Sequence, residues 1–276
     1  MDDPSLEALA ERYNSDKGEH GYGPFYEGLL ADRRQDPLTI LELGVGGFDR
    51  PDDPEWGGGS LRMWKHYFPH ASIWGLDILD KSGVAEDRIT IVRGSQVDAD
   101  LLRSLSRQVG PFDLIVDDAS HIPALTVQSF EILFPMLAPG GVYVIEDLCT
   151  SYWPLWGGRF RRRAAGTTMD LVKRRLDGLN HAEFKVANYR ATEIDRSTVE
   201  IRAQHDIAAF VKGQNTRPSG LNHPNPIGLA GWLRQDGLPA AVSALRHPEL
   251  LRLLEQSRLR PLAGRVRRRL VPIVER

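Results

Sequence analysis

The sequence predicts an α/β fold with a doubly wound, mostly parallel sheet and a small helical cap at its carboxyl-terminal end. Two observations carry this prediction. The runs 112–117 and 141–145 are apolar without alternation, which is typical of strands buried on both faces of a parallel sheet. Strand-like and helix-like segments also alternate along most of the chain, as they do when crossover helices join parallel strands.

The predicted elements follow one another in a regular order. A short amphipathic helix is predicted over 5–13, and a polar, glycine-rich stretch follows it through residue 23. From their apolar runs and flanking turn residues, strands are predicted near 38–43, 72–78, 89–93, 112–117, 141–145, 198–203 and 207–212. From their periodicity, helices are predicted near 60–68, 98–108, 124–137 and 167–179.

Three regions are expected along the chain. Its 276 residues are enough for one substantial core and a small appendage. We expect an N-terminal helix and lid over 1–30, a ligand-binding domain over 31–213 and a peripheral cap over 214–276. The last region begins rich in Pro, Gly and Asn and then turns arginine-rich, with a pattern that predicts helix.

Composition and charge exclude several classes of protein. The net charge of −2 gives no global field that would attract nucleic acid or a membrane surface. The one cysteine, Cys149, excludes an internal disulfide framework and fits a reducing cytoplasm. No apolar run reaches membrane-spanning length, and the first residues lack a signal-peptide core. We therefore expect a cytoplasmic protein with no nucleic-acid partner and no membrane span, and we expect a homo-oligomer.

A glycine turn after the first strand indicates the class of cofactor. Gly44 and Gly46 suit a tight turn, but a dinucleotide fingerprint needs a third glycine where this chain has Asp49. The fingerprint also needs a helix directly after the turn, whereas an irregular stretch separates this turn from Ser60. A nicotinamide-dependent oxidoreductase is therefore disfavoured. A cofactor without a pyrophosphate needs only close backbone approach and a carboxylate for its ribose, which Asp77 supplies at the end of the second strand, unless it is merely a strand-end acid.

Further polar residues complete the predicted cofactor site. Glu42 precedes the glycine turn and is expected to anchor loop amides or a cationic part of the cofactor. Gln96 or Asp98, after the third strand, could reach an adenine amine, although Asp98 could equally cap the following helix. Ser60, at the start of the next helix, and Asp118 are also predicted to bind the cofactor.

Acidic residues end two neighbouring apolar strands. Asp118 follows the first, and Glu146 and Asp147 follow the second. The carboxyl ends of parallel strands share one edge of a sheet, so these carboxylates would face one crevice. Crowded carboxylates repel unless a cation holds them, and oxygen ligands suit Mg²⁺. His121 lies three residues beyond Asp118. The plainer alternatives are solvated strand-end acids and a histidine of the core or surface.

Five segments together resemble the metal-dependent S-adenosylmethionine O-methyltransferases of actinobacterial sugar tailoring, namely 41–47, 57–65, 74–81, 117–121 and 144–147. This family includes macrolide sugar methyltransferases of the mycinamicin and tylosin type, and mycobacterial enzymes that methylate mannose polysaccharides look similar. The resemblance covers 38–155 well and 198–213 more loosely. It implies a class I, Rossmann-like methyltransferase fold, S-adenosylmethionine and Mg²⁺ as cofactors, metal ligands at Asp118, Glu146 and Asp147, and a general base at His121. The chain departs from the family at Ala119, where relatives usually carry glycine.

The resemblance implies transfer of a methyl group to a sugar hydroxyl, on a mannose-type saccharide or on the deoxysugar of a glycosylated natural product. The residues agree with that chemistry, since a cation stabilises a developing alkoxide and an imidazole accepts protons near neutral pH. Three aromatic residues, Tyr152, Trp153 and Trp156, could stack on a saccharide, or could simply pack a loop. A catechol-type O-methyltransferase and a non-catalytic sugar-binding protein remain as alternatives.

Overall fold

The computed structural model describes residues 4–184 and 189–219. The greater part of the predicted cap, from residue 220 onward, lies outside the described residues, as do the first three residues of the predicted lid. Among the described residues, no helix is both long enough and apolar enough to cross a lipid bilayer.

A seven-stranded sheet with the spatial order β3-β2-β1-β4-β5-β7-β6 organises the described chain. Its strands are β1 Thr39–Leu43, β2 Ser72–Asp77, β3 Ile89–Arg93, β4 Phe112–Asp117, β5 Leu137–Ile145, β6 Thr198–Gln204 and β7 Ile207–Lys212. The five strands β1 to β5 pair in parallel, while β7 pairs antiparallel with both β5 and β6. The chain runs outward from β1 to β3 and then returns to place β4 beside β1. Ligands bind at such a reversal of strand order in open α/β sheets, outside the carboxyl ends of the strands.

Seven α-helices accompany the sheet in the described part of the chain. They are α1 Leu6–Arg12, α2 Gly23–Leu30, α3 Gly59–Tyr67, α4 Ala99–Val109, α5 Pro123–Leu133, α6 Thr168–Leu179 and α7 Glu193–Ser197. Two apolar layers cover the sheet. On one face, side chains such as Leu9, Tyr26 and Trp64 of α1, α2 and α3 pack on Ile40 of β1. On the other face, side chains such as Leu102, Phe130 and Leu171 of α4, α5 and α6 pack on the neighbouring Leu41.

This architecture confirms the predicted fold class, and every predicted strand is present. The sequence did not predict α2, because Gly23 and Gly28 weaken its helical pattern. Pro24 in its first turn and the buried pair Tyr26 and Leu30, four residues apart, explain why it forms.

The boundary between α5 and β5 also differs from the prediction. The helix was predicted to continue to residue 137, but α5 ends at Leu133 and a single 3₁₀ turn containing Pro135 follows it. Proline has no backbone N–H to continue a helix. β5 therefore begins early, with Leu137 paired to Phe112, and an irregularity in register precedes the pairing of Val142 with Leu114.

Candidate active site at the carboxyl edge of the sheet

A cavity of about 430 Å³ lies at the carboxyl ends of β1, β2 and β4. Its walls come from the glycine turn after β1, from the end of β2, from Gly94–Gln96 after β3 and from Asp118–His121 after β4. The loop after α1 contributes Asn14, Ser15 and Asp16. The volume is within the range of roughly 300–1,000 Å³ that is usual for small-molecule sites.

The glycine turn is required by the close approach of two chain segments. Gly44 has a φ of +90°, and a Cβ there would lie 2.1 Å from the carbonyl oxygen of Asp118. No side chain fits that space, and L-residues rarely adopt that φ. The turn therefore presents bare backbone to the cavity and lies directly against the segment that carries Asp118 and His121.

Asp77 is fixed in orientation at the cavity wall. Its Oδ2 accepts a hydrogen bond of 2.9 Å from the Val45 amide, and its Oδ1 accepts one of 2.8 Å from the Leu79 amide. Each carboxylate oxygen has a second lone pair available to a ligand. The structure thus holds Asp77 where the sequence predicted an acceptor for a ribose hydroxyl.

The other predicted cofactor residues divide into two groups. Gly46, Ser60, Gln96 and Asp118 line the cavity together with Gly44 and Asp77. Glu42 does not line the cavity. It is fully buried, accepts a hydrogen bond of 2.6 Å from the Trp64 indole and forms an ion pair with Lys17. Asp98 caps α4 by accepting from the amides of Asp100 and Leu101, which is the capping alternative considered from the sequence.

A buried lysine is the main feature of the site that the sequence did not reveal. The Lys17 Nζ atom lies 2.7 Å from Asp118 Oδ2, 2.8 Å from Glu146 Oε2 and 3.1 Å from Glu42 Oε1. Burial by itself would lower the pKa of Lys17, but these three carboxylates together raise it well above its usual value. Lys17 is therefore charged, and it holds together an acid of β1 and the acids that directly follow β4 and β5.

Glu146 is engaged on both of its oxygens. Lys17 donates to Oε2 and the buried Tyr26 hydroxyl donates to Oε1. Burial raises the pKa of Glu146, as it does that of Glu42, because one ammonium cannot compensate several buried carboxylates. The third predicted metal ligand thus faces Lys17 and Tyr26 in this structure.

Asp118, His121 and Asp147 form a group whose potential ligand atoms lie within 4.8 Å of one another. His121 Nε2 lies 3.4 Å from Asp147 Oδ2 and 3.8 Å from Asp118 Oδ1. The Tyr22 hydroxyl donates a hydrogen bond of 2.9 Å to the other oxygen of Asp147, Oδ1. Burial and this carboxylate raise the pKa of Tyr22, so the phenol keeps its proton. The two carboxylates at this spacing could hold a divalent cation, with the imidazole beside it.

A second group shares one of these acids. His20, Asp147 and Asp206 also bring potential ligand atoms within 4.8 Å of one another. This group includes an exposed histidine, and neither His20 nor Asp206 lines the cavity, whereas Asp118 and His121 do. The first group is therefore the better placed for chemistry on a ligand in the cavity.

Two residues of the first group have unusual backbone conformations. His121 has a φ of +52° and Asp147 a φ of +53°. Histidine and aspartate tolerate the left-handed region better than most residues, but they seldom adopt it, and such residues cluster at functional sites. Ala119, the departure from the family pattern, is not among the described residues with positive φ, so its side chain imposes no strain.

Asp117 faces away from this group although it precedes Asp118 directly. Its Oδ2 accepts hydrogen bonds of 2.7 Å from the Tyr143 hydroxyl and 2.5 Å from the Ser129 hydroxyl. Both donors belong to the side of the sheet that α4, α5 and α6 cover. Burial raises the pKa of Asp117 to about 6. Successive residues of a strand point to opposite faces, which separates the roles of the two acids.

An apolar surface lies beside His121. The Trp156 ring is 6.0 Å from the His121 ring, centroid to centroid. Trp153, Leu155 and Phe160 are also exposed, and Leu155 is 96% exposed. Two of the predicted saccharide-stacking residues, Trp153 and Trp156, are thus exposed, and Trp156 lies next to the group.

Cys149 is unsuited to nucleophilic chemistry. Burial and the neighbouring Asp206 carboxylate raise the pKa of its thiol to about 12. Only the thiolate is reactive, and at neutral pH this cysteine stays protonated.

Comparison with known proteins identifies close relatives. Mycinamicin VI 2''-O-methyltransferase of Micromonospora griseorubida is 44% identical over 237 residues, which cover 84% of this chain and 56% of that protein. Demethylmacrocin O-methyltransferase of Streptomyces fradiae is 41% identical over 237 residues, which cover 84% of this chain and 57% of that protein. No protein-family model matches the chain.

A solved structure agrees with these relatives. The MycE methyltransferase from the mycinamycin biosynthetic pathway, in complex with Mg, SAH and mycinamycin VI, superposes with a TM-score of 0.73 at 43% identity, covering 78% of this chain and 55% of that one. The resemblance to the sugar O-methyltransferases and the class I methyltransferase fold are therefore confirmed. The chain spans somewhat over half the length of these curated relatives.

Proposed function

We propose that this protein is a metal-dependent O-methyltransferase that moves a methyl group from S-adenosylmethionine to a sugar hydroxyl. The observation that carries the proposal is the group Asp118, His121 and Asp147, of which Asp118 and His121 line the cavity of about 430 Å³. The named relatives support it, because they are O-methyltransferases and the matched structure is a complex with Mg and SAH.

The residues present fit both cofactors. Gly44 and Gly46 leave the cavity wall free of side chains, and Asp77 offers fixed carboxylate oxygens for ribose hydroxyls. Asp118 Oδ1 and Asp147 Oδ2 are the oxygens that face His121, and oxygen donors are those that Mg²⁺ prefers. Glu146 stays the predicted third ligand.

His121 is the proposed proton acceptor. When bound, the sulfonium donor supplies an activated methyl group and the divalent cation lowers the free energy of negative charge developing on the acceptor oxygen. The Nε2 atom of His121 takes the hydroxyl proton as the carbon–oxygen bond forms and the carbon–sulfur bond breaks. This atom lies 3.4 Å from Asp147 Oδ2 and 3.8 Å from Asp118 Oδ1, next to the place proposed for the cation.

We propose that the acceptor is the sugar of a glycoside with an apolar aglycone. The exposed Trp156 beside His121, with the exposed Trp153 and Leu155 close to it in sequence, offers apolar surface for a ring system larger than one sugar. The names of relatives point the same way, since they include the 2'-O-methyltransferase of a rhamnosyl tetracenomycin. A mannose-type saccharide remains the second candidate acceptor, and homo-oligomeric assembly and a cytoplasmic location stay predictions.

Mass spectrometry of reaction products tests the function. The protein is incubated with methyl-labelled S-adenosylmethionine and Mg²⁺, and with three acceptor sets: macrolide or aromatic polyketide glycosides, mannose oligosaccharides and catechols. We expect labelled methyl transfer to the polyketide glycosides, its loss in excess chelator, and its recovery with Mg²⁺. Ca²⁺ should restore it poorly, because its coordination is longer and looser.

Three results would contradict the proposal. Undiminished transfer in excess chelator would remove the metal from the reaction. Transfer to catechols alone would favour the catechol-type alternative. Binding of a glycoside without transfer to any acceptor would favour the non-catalytic sugar-binding alternative.

Replacement of Asp77 by alanine tests the placement of the donor. S-adenosylhomocysteine at about 100 times its Kd is expected to stabilise the wild type by about 2.7 kcal/mol. Asp77→Ala should lose most of the corresponding rise in melting temperature, because the ribose hydroxyls lose their acceptor. Asp98→Ala is the matched control: it removes an acid that caps α4 outside the cavity, so the starting melting temperature falls while the ligand-induced rise remains. Wild-type donor affinity in Asp77→Ala would show that the ribose lies elsewhere.

A further inference from the structure

The loop between α1 and α2 contacts the carboxylates of the proposed metal group through the oxygens that do not face His121. Lys17 is 2% exposed and donates to Asp118 Oδ2 at 2.7 Å. Tyr22 is 1% exposed and donates to Asp147 Oδ1 at 2.9 Å. Of the four carboxylate oxygens of Asp118 and Asp147, one on each acid is therefore engaged by this loop, and Lys17 also donates to Glu146.

The remaining oxygens are the two that point toward His121. Asp118 Oδ1 lies 3.8 Å and Asp147 Oδ2 3.4 Å from His121 Nε2. A carboxylate group is planar, so fixing one oxygen also fixes the direction of the other. The two donors from one loop thus set the orientation of both acids.

We infer that Lys17 and Tyr22 are positioning residues, which together clamp Asp118 and Asp147 so that one oxygen of each is presented to the divalent cation. The inference rests on the proposed function, because it assigns those two oxygens to the cation. Partners behind a metal ligand hold its rotamer and reduce the entropy lost when the metal binds.

The clamp residues are separate from the donor cavity. Asn14, Ser15 and Asp16 of the same loop line that cavity, but neither Lys17 nor Tyr22 does. A change confined to the Tyr22 hydroxyl should therefore weaken cation binding and leave donor binding intact. A general loss of folding would weaken both.

Tyr22→Phe is the variant that tests the clamp. It removes a single hydroxyl from a buried side chain and keeps its volume. The matched control is Tyr189→Phe, which removes another phenol–carboxylate hydrogen bond, of 3.0 Å to Asp195, at a position that lines neither the cavity nor the metal group. Mg²⁺ and S-adenosylhomocysteine affinities are measured by calorimetry on the full chain, together with turnover at increasing Mg²⁺.

We expect Tyr22→Phe to raise the Kd for Mg²⁺ by about 10–100-fold, the usual effect of losing a partner behind a metal ligand. The affinity for S-adenosylhomocysteine should not change, and turnover should recover toward wild type at saturating Mg²⁺. Tyr189→Phe should match wild type in all three measurements. Lys17→Met should weaken Mg²⁺ binding in the same selective way if it folds, and Tyr22→Phe decides the matter if it does not.

The outcomes separate the clamp from the proposed function. A wild-type protein that neither binds Mg²⁺ nor transfers methyl groups overturns the proposed function and the clamp with it. A wild type that does both, beside a Tyr22→Phe variant of unchanged Mg²⁺ affinity, overturns the clamp alone. Equal losses of Mg²⁺ and S-adenosylhomocysteine affinity in Tyr22→Phe also overturn it, because they would assign Tyr22 a general role in folding.

Discussion

Substitution of His121 by alanine is expected to reduce turnover by about 10²–10⁴-fold, the usual effect of removing a positioned acid–base group. The imidazole Nε2 is the nitrogen that faces one carboxylate oxygen of each acid in the proposed metal group. Donor affinity should fall far less than turnover, since His121 is only one of the many residues that line the cavity. Single-turnover kinetics with saturating donor, acceptor and Mg²⁺ measure the loss in the chemical step.

A second variant is needed because His121 has a left-handed backbone conformation. Its φ of +52° is strained for alanine, whereas asparagine tolerates the left-handed region. His121→Asn therefore keeps the backbone and removes the base, and it should lose turnover to a similar extent. Near-normal turnover in His121→Asn would mean that the alanine effect came from strain and that another group takes the proton, with Asp118 the next candidate.

His20→Ala compares the two histidines beside Asp147. The His20 Nδ1 atom lies 3.9 Å from Asp147 Oδ1, and its side chain is 43% exposed. A smaller loss of turnover than in His121→Asn is expected, because His20 does not line the cavity. A larger loss would move the reaction to the group that contains His20 and Asp206.

Asp147→Asn is expected to have the second large effect. It removes the charge of a proposed ligand and retains a side chain that tolerates the φ of +53° at this position. We expect the Mg²⁺ requirement to rise by about 100-fold or more, beyond the range for a partner behind a ligand. Donor affinity should survive, since Asp147 does not line the cavity. Calorimetric titrations with Mg²⁺ and with S-adenosylhomocysteine measure the metal affinity and the donor affinity separately.

Two further acids complete this series. Asp118→Asn should weaken Mg²⁺ binding in the same way, although it also alters the contact with Lys17. Glu146→Gln tests the third predicted ligand, whose oxygens face Lys17 and Tyr26 in this structure. An Mg²⁺ affinity unchanged in all three variants would contradict a metal site at this edge of the sheet.

The sequence predicted the sheet well because its buried parallel strands carry a strong local signal. The strands that end at Asp77, Asp117 and Ile145 are short apolar runs, and acids follow or end them where the chain leaves the core. The shared edge of a parallel sheet then brings Asp118 and His121 to the cavity, which is a consequence of topology more than of side-chain detail.

The buried position of Lys17 could not be predicted from its neighbours. It lies in the polar segment Asn14-Ser-Asp-Lys-Gly18, where a lysine is normally solvated, and its partners are 25, 101 and 129 residues away in sequence. The same contact explains why Glu42 is not at the cavity. Its position inside β1 directs the side chain into the core, where Lys17 and Trp64 satisfy it.

Asp98 illustrates a different limit. Its place after β3 suited an adenine contact and a helix cap equally, and the structure shows the helix cap. The φ and ψ of −76° and 92° are extended, as in a helix cap, and the side chain accepts from two amides of α4. The local sequence shows that an acid is present at such a position, but it does not show which group the side chain contacts.

Crystals grown with Mn²⁺ and S-adenosylhomocysteine, with anomalous data collected at the manganese edge, test the central claim most directly. That claim is that a divalent cation binds between Asp118 and Asp147, beside His121 and the donor cavity. One anomalous peak is expected within coordinating distance of Asp118 Oδ1 and Asp147 Oδ2, next to the donor sulfur. A peak between His20, Asp147 and Asp206 instead, or none near Asp118 in crystals that contain the donor product, would contradict it.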